Sequence, residues 1–134
     1  MEKIEAVIER SADGGCTIYC EKEMFSGYGD TPEEAKEDML FQMSFFKDTA
    51  IEMGFSYPAF LDKEFKVVYK FDTESLLQYY AGVITPAALE RLSGIHQKQL
   101  WSYLHGHSKP RKKQVEKIEK ALHSLGLELM SIAL

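Results

Sequence analysis

From Lys3 to Arg10 the chain alternates, with Ile4, Ala6 and Ile8 on one side and Lys3, Glu5 and Glu9 on the other, the period-two pattern of a half-buried strand. Asp13-Gly14-Gly15 supplies a turn, Cys16 to Cys20 a second β-prone run and Phe25 to Tyr28 a third, so the opening reads as a short antiparallel meander. The period then changes. Thr31 can cap a helix, Pro32 suits its first position, and Glu34 completes a T-x-x-E capping box. Ala35, Met39, Met43, Phe46, Ala50 and Met53 recur at helical spacing up to Gly54, a natural stop, and this helix is expected to cover the sheet. Phe65 to Phe71 has strand composition and would extend the same sheet, giving the order β-β-β-α-β.

The second half is helical in pattern. Asp72 can cap a helix carrying Leu76, Leu77 and Tyr80 that ends at Gly82. Thr85-Pro86 opens another, through Ala88, Leu89 and Leu92, which stops at Ser93-Gly94-Ile95; the next begins at His96 and runs through Leu100, Trp101 and Leu104. Two helices joined by a tight glycine turn form the supersecondary unit that binds DNA, with Leu89, Ile95, Leu100 and Leu104 expected as its small core. A last helix carries Val115, Ile118, Leu122 and Leu125 and is expected to end at Gly126. The apolar tail Leu127 to Leu134 needs cover; a strand paired with its own sheet, or with the same segment of a second subunit, would provide it. The fold class expected is α+β: a β-β-β-α-β layer over 1–71, then an all-α helix-turn-helix domain over 72–134, with a C-terminal strand left open.

At 134 residues, with 45% hydrophobic and 28% charged residues, the chain is ordinary globular material, enough for two small domains that lean on each other or on a second copy. Charge divides it. Residues 1–64 hold six basic and fifteen acidic residues, a formal −9, while 65–134 hold ten and six, a formal +4. Such asymmetry suggests a polyanion as partner of the basic half, and for the acidic half either something basic or no more than solvation. No apolar run approaches the roughly 18 residues of a membrane span, and no basic-then-apolar leader is visible, so a cytoplasmic location is expected. Cys16 and Cys20, alone and four apart, suit neither a disulfide framework nor a zinc site and read as small strand residues.

The candidate chemistry lies on the helix after Gly94. With Leu100, Tyr103 and Leu104 turned inward, Lys98, Ser102 and His105 point outward and Gln97 and Trp101 lie at the margins. Glutamine can pair with adenine, lysine can reach guanine or phosphate, and a serine hydroxyl suits either. Lys109, Arg111, Lys112 and Lys113 follow at once, cations placed for phosphate contacts that fix register and give salt-dependent affinity. DNA-binding residues are therefore expected at Gln97, Lys98, Trp101, Ser102, His105, Lys109, Arg111, Lys112 and Lys113.

Two stretches together resemble the HicB family of antitoxins over nearly the whole chain. Asp13-Gly14-Gly15 and Gly27-x-Gly29-Asp30-Thr31-x-Glu33-Glu34-Ala35 resemble that family's partial RNase H-like domain. Leu92-Ser93-Gly94-Ile95 through Gly106, then Lys109-Pro110, resembles the Xre/Cro-type helix-turn-helix of one of its branches, with Glu90 standing where that unit usually carries a small alanine. The resemblance implies an acidic domain that blocks a small basic mRNA-cleaving toxin of the HicA kind, and a basic domain that represses the operon by binding operator DNA as a homodimer or tetramer. The alternative is a stand-alone helix-turn-helix repressor whose first domain senses a ligand or dimerises. RNase H catalysis needs several strand carboxylates around two metal ions. The acids Glu21, Glu23, Asp30, Glu33, Glu34, Glu37 and Asp38 instead fall in a turn and the first turns of a helix, so no catalysis, cofactor or metal is expected.

Overall fold

The computed structural model describes residues 1–134, which divide into two compact units, Met1–Asp72 and Thr73–Leu134. The fold is mixed α and β, with a β-rich layer first and helices after it. No helix is long and apolar enough to cross a membrane.

The first unit runs β1 (Glu2–Arg10), β2 (Cys16–Cys20), β3 (Ser26–Gly29), α1 (Pro32–Met53), a single 3-10 turn (Ala59–Asp62) and β4 (Phe65–Phe71). Its sheet has the order β3-β2-β1-β4. β1 pairs antiparallel with β2, placing Ile8 opposite Ile18, and parallel with β4, placing Ile4 opposite Val67. A parallel partner cannot be reached by a hairpin; the long connection through α1 supplies the crossover. Ile4, Ala6, Ile8, Cys16, Ile18 and Cys20 are buried on one face of the sheet, against Ala35, Met39 and Met43 of α1.

Local signals place α1. The Thr31 hydroxyl accepts from the Glu34 amide at 3.2 Å, and the Glu34 carboxylate reaches back to the Asp30 amide at 2.9 Å, one residue earlier than a capping box requires. The helix ends on Gly54, left-handed at φ 75°. Gly27 and Gly29 let α1 lie directly on β3: a Cβ on Gly27 would overlap the Ala35 carbonyl and the Met39 amide. Phe46 and Met53, read as part of the inward stripe, are exposed. At about 1.5 Å per residue a 22-residue helix overhangs the four- and five-residue strands β3 and β2 beneath it.

The second unit is helical: α2 (Thr73–Tyr79), α3 (Pro86–Ser93), α4 (Gln97–Leu104) and α5 (Lys112–Met130). Leu77, Leu89, Ile95, Leu100, Tyr103, Ile118 and Ala121 form its core, with Leu104 and Leu122 packed at the edge. Two expected boundaries are corrected. α2 closes at Tyr79, not Gly82, and the chain turns there through Tyr80 carbonyl bonds to the Val83 and Ile84 amides. α5 passes through Gly126 and continues to Met130, so Leu127 to Leu134 form no strand. An interior glycine costs a helix only about 1 kcal/mol, which the surrounding leucines and glutamate absorb, and the second unit holds no strand for the tail to pair with.

Candidate nucleic-acid interface

The bend between α3 and α4 is built from short polar contacts. The Thr85 hydroxyl caps α3 by accepting from the Ala88 amide at 3.1 Å, and Pro86 sits in its first turn. Gly94 ends it at φ 78°, a conformation glycine adopts without the clash a side chain would cause. The Ser93 hydroxyl donates to the Leu89 carbonyl at 2.7 Å and accepts from the Ile95 amide at 3.2 Å. His96 then caps α4 through Nδ1, which accepts from the Lys98 amide at 3.1 Å. Glu90 reaches across the bend and accepts from the Gln97 amide at 2.8 Å. Its carboxylate also satisfies the positive end of α4, so Glu90 ties the two helices together.

This geometry presents Gln97, Lys98, Trp101 and His105 on the surface of α4. Trp101 is 48% exposed, with the His105 ring stacked on it at 4.0 Å and His107 edge-on at 5.2 Å. The His105 ring is also anchored by a 2.9 Å hydrogen bond between Nδ1 and the Trp101 carbonyl. Lys98, Trp101 and Gln97 join Thr85, Pro86 and Ala87 around a shallow cavity of about 580 Å³ where the starts of α3 and α4 meet.

Ser102 is placed differently from expectation. It is half-buried, and its hydroxyl pairs with that of Ser108 at 2.8 Å, so it fastens the loop after α4 instead of standing free to read a base. Gln99, absent from the sequence-based set, is exposed and points its amide at the same Ser108 hydroxyl at 3.4 Å. Gly106 gives that loop its turn at φ 70°. Lys109, Arg111, Lys112 and Lys113 follow, all exposed, and neither they nor Lys98 enter an ion pair. Arg111 is the N-cap of α5 without a side-chain cap bond, and Lys112 and Lys113 open the helix. Cations at this end oppose the helix dipole, an arrangement that an incoming anion relieves.

The sequence pattern thus located one surface cluster on α4 and one cationic loop, while missing Gln99 and the α3 residues Pro86 and Ala87. Those can be found only once the bend angle brings the two helix starts together. In the other unit, the acids near α1 are used locally: Glu34 bonds the Asp30 amide, and Asp38 accepts from the Tyr28 amide at 2.8 Å. No three His, Cys, Asp or Glu side chains converge as metal ligands. Cys16 and Cys20 are free thiols, both buried, and burial pushes the Cys20 thiol up to about 11. Comparison with protein-family models, with curated proteins and with solved structures finds no match for this chain.

Proposed function

We propose that the chain is a HicB-type antitoxin and autorepressor: the second unit binds operator DNA, and the acidic first unit neutralises a small basic mRNA-cleaving toxin by direct contact. The observation that carries the DNA half is the bend α3-Gly94-α4, with Gln97, Lys98 and Trp101 exposed beside four further cations that enter no ion pair, Lys109, Arg111, Lys112 and Lys113. On this reading α4 enters the major groove, Gln97 and Lys98 address base edges, and Arg111, Lys112 and Lys113 clamp phosphates. Ser102 and Ser108 hold the clamp to the reading helix. The partial RNase H-like character of the first unit is part of this proposal, supported by the close approach of α1 to Gly27 and Gly29.

A second copy belongs to the reading, because twofold operators are met by paired helix-turn-helix units. Charge supports the division of labour, a −9 half for a basic protein and a +4 half for DNA. The test is growth of cells expressing the short basic protein encoded beside this gene, with and without this chain from a second promoter. Arrest relieved by the chain is the expected result. Absence of arrest, or arrest the chain cannot relieve, overturns the antitoxin half and leaves a stand-alone repressor.

A further inference from the structure

α1 is apolar on two faces. Ala35, Met39, Met43 and Ala50 are buried against the sheet, yet Phe41 and Phe45 point away from it, 61% and 58% exposed, with rings stacked at 6.0 Å and 20°. At 100° per residue, Glu37, Phe41, Phe45, Asp48 and Glu52 make one continuous outer stripe, spaced by three or four residues. Two stacked phenylalanines are thus flanked along the helix by carboxylates. No cation offsets them: Lys47 is bound to Asp62 at 3.0 Å and to the Leu61 carbonyl at 3.1 Å, and Lys36 lies over the Tyr69 ring at 4.7 Å. Phe45 also forms a wall of a cleft of about 810 Å³ between α1 and the β3 edge, lined by Phe25, Phe46 and Met24, the last 98% exposed.

From this we infer that the outer face of α1, centred on Phe41 and Phe45, is the docking surface for a basic protein, one that presents arginine or lysine over the aromatic pair and an apolar side chain into the cleft. The argument is charge complementarity. Nucleic acid would bring phosphates onto carboxylates, and a second copy docking through the same face would set Glu37, Asp48 and Glu52 against their own kind. An arginine answers both features of the stripe at once, its plane stacking on a ring while its N–H groups reach the flanking acids. Apolar side chains left in water on a face ringed by charge have the composition of an interface core within a polar rim. The inference rests on the antitoxin reading and gives it a contact surface.

The experiment is calorimetric titration of the full-length chain with the short basic protein encoded beside its gene. The wild type is compared with the double substitution Phe41→Ala and Phe45→Ala, with Glu37→Lys, and with Glu5→Lys on the opposite face of the sheet. Circular dichroism and calorimetric melting of each variant report that the first unit, which holds all these positions, is folded. Loss of roughly 30-fold or more in affinity for the double variant, the hot-spot range, with a clear loss for Glu37→Lys and near wild-type binding for Glu5→Lys, is the expected result. If the wild type binds and the Phe41 and Phe45 substitutions do not weaken it, the antitoxin reading stands and this surface is wrong. If the wild type does not bind, the reading itself fails and the surface with it. Sedimentation of the double variant separates the remaining case, since loss of self-association would identify the occupant as a second copy and overturn the inference.

Discussion

Glu90 and Gln97 are joined across the α3–α4 bend by a 2.8 Å hydrogen bond from the Gln97 amide to the Glu90 carboxylate. Since that carboxylate satisfies a donor at the start of α4, Glu90→Ala is expected to cost about 1 kcal/mol, the usual worth of a helix cap. Urea unfolding followed by the fluorescence of Trp101, the chain's one tryptophan, measures it. Glu90→Gln should retain most of the stability, and a Glu90→Ala variant as stable as wild type would show the bond to be incidental.

The two classes of contact proposed on the DNA face should separate in a salt series. Arg111→Ala and Lys112→Ala are each expected to weaken operator and random DNA alike and to reduce the slope of log affinity against log salt by about 1. Lys98→Ala should instead reduce the preference for operator over random DNA. Ser102→Ala, which removes a tether and not a reader, should weaken both. Equal behaviour of all four on both DNAs would mean that α4 does not read sequence.

Gly27→Ala should destabilise the first unit by about 1–3 kcal/mol, the cost of forcing atoms into a packed contact, because its Cβ would meet backbone of α1 that has no room to yield. Gly82→Ala, where an added Cβ meets nothing, is the control. Calorimetric melting of the two variants distinguishes this close packing from a general intolerance of alanine.

Cys16 and Cys20 should resist a thiol reagent at pH 8 in the folded chain and react at once in denaturant. Burial raises the Cys20 thiol to about 11 and raises Cys16 as well, so the folded state disfavours both thiolates. The sign for stability follows. The contribution is complete below the ordinary thiol value near 9.0 and is lost as pH rises through the folded value of about 11. A stability curve flat between pH 9 and 11 in wild type, or sloping equally in a Cys20→Ala variant, would contradict this.

Along α5 and just past its end, Val115, Ile118, Leu122, Leu125, Leu129 and Ile132 are spaced alternately by three and four residues. Ile118 and Leu122 pack within the unit, while Leu129 and Ile132 are exposed together with Leu127 and Met130. Such spacing suits a helix pair, so sedimentation equilibrium of the full chain is expected to give a dimer, and the double substitution Leu129→Glu and Ile132→Glu a monomer of unchanged helicity. A monomeric wild type would leave this tail without a role.

What could be read from the sequence was what local chemistry dictates. Thr31-Pro32, Gly54, Thr85-Pro86 and Gly94 mark helix ends because caps and left-handed turns act within four residues, and they lie where the pattern put them. Gly126 carried the same signal and did not act on it, since propagation through flanking helix formers outweighed one glycine. Phe41 and Phe45 were illegible for a different reason: an exposed aromatic and a buried one are the same letter, and only the position of the sheet tells them apart. Ser102 looked outward by helical angle, and its pairing with Ser108 depends on how the loop after Gly106 folds back, which no periodicity encodes.

That serine pair gives the module two independent tolerances. A bond between neutral hydroxyls is nearly indifferent to ionic strength, whereas the phosphate contacts proposed for the neighbouring cations would weaken as salt rises. The spacing between α4 and the cationic loop, the proposed base-reading and phosphate-contacting parts, is therefore held by a contact that salt does not touch. On the proposed function, rising salt would release the DNA contacts while leaving that spacing unchanged, so that the module can rebind in the same register.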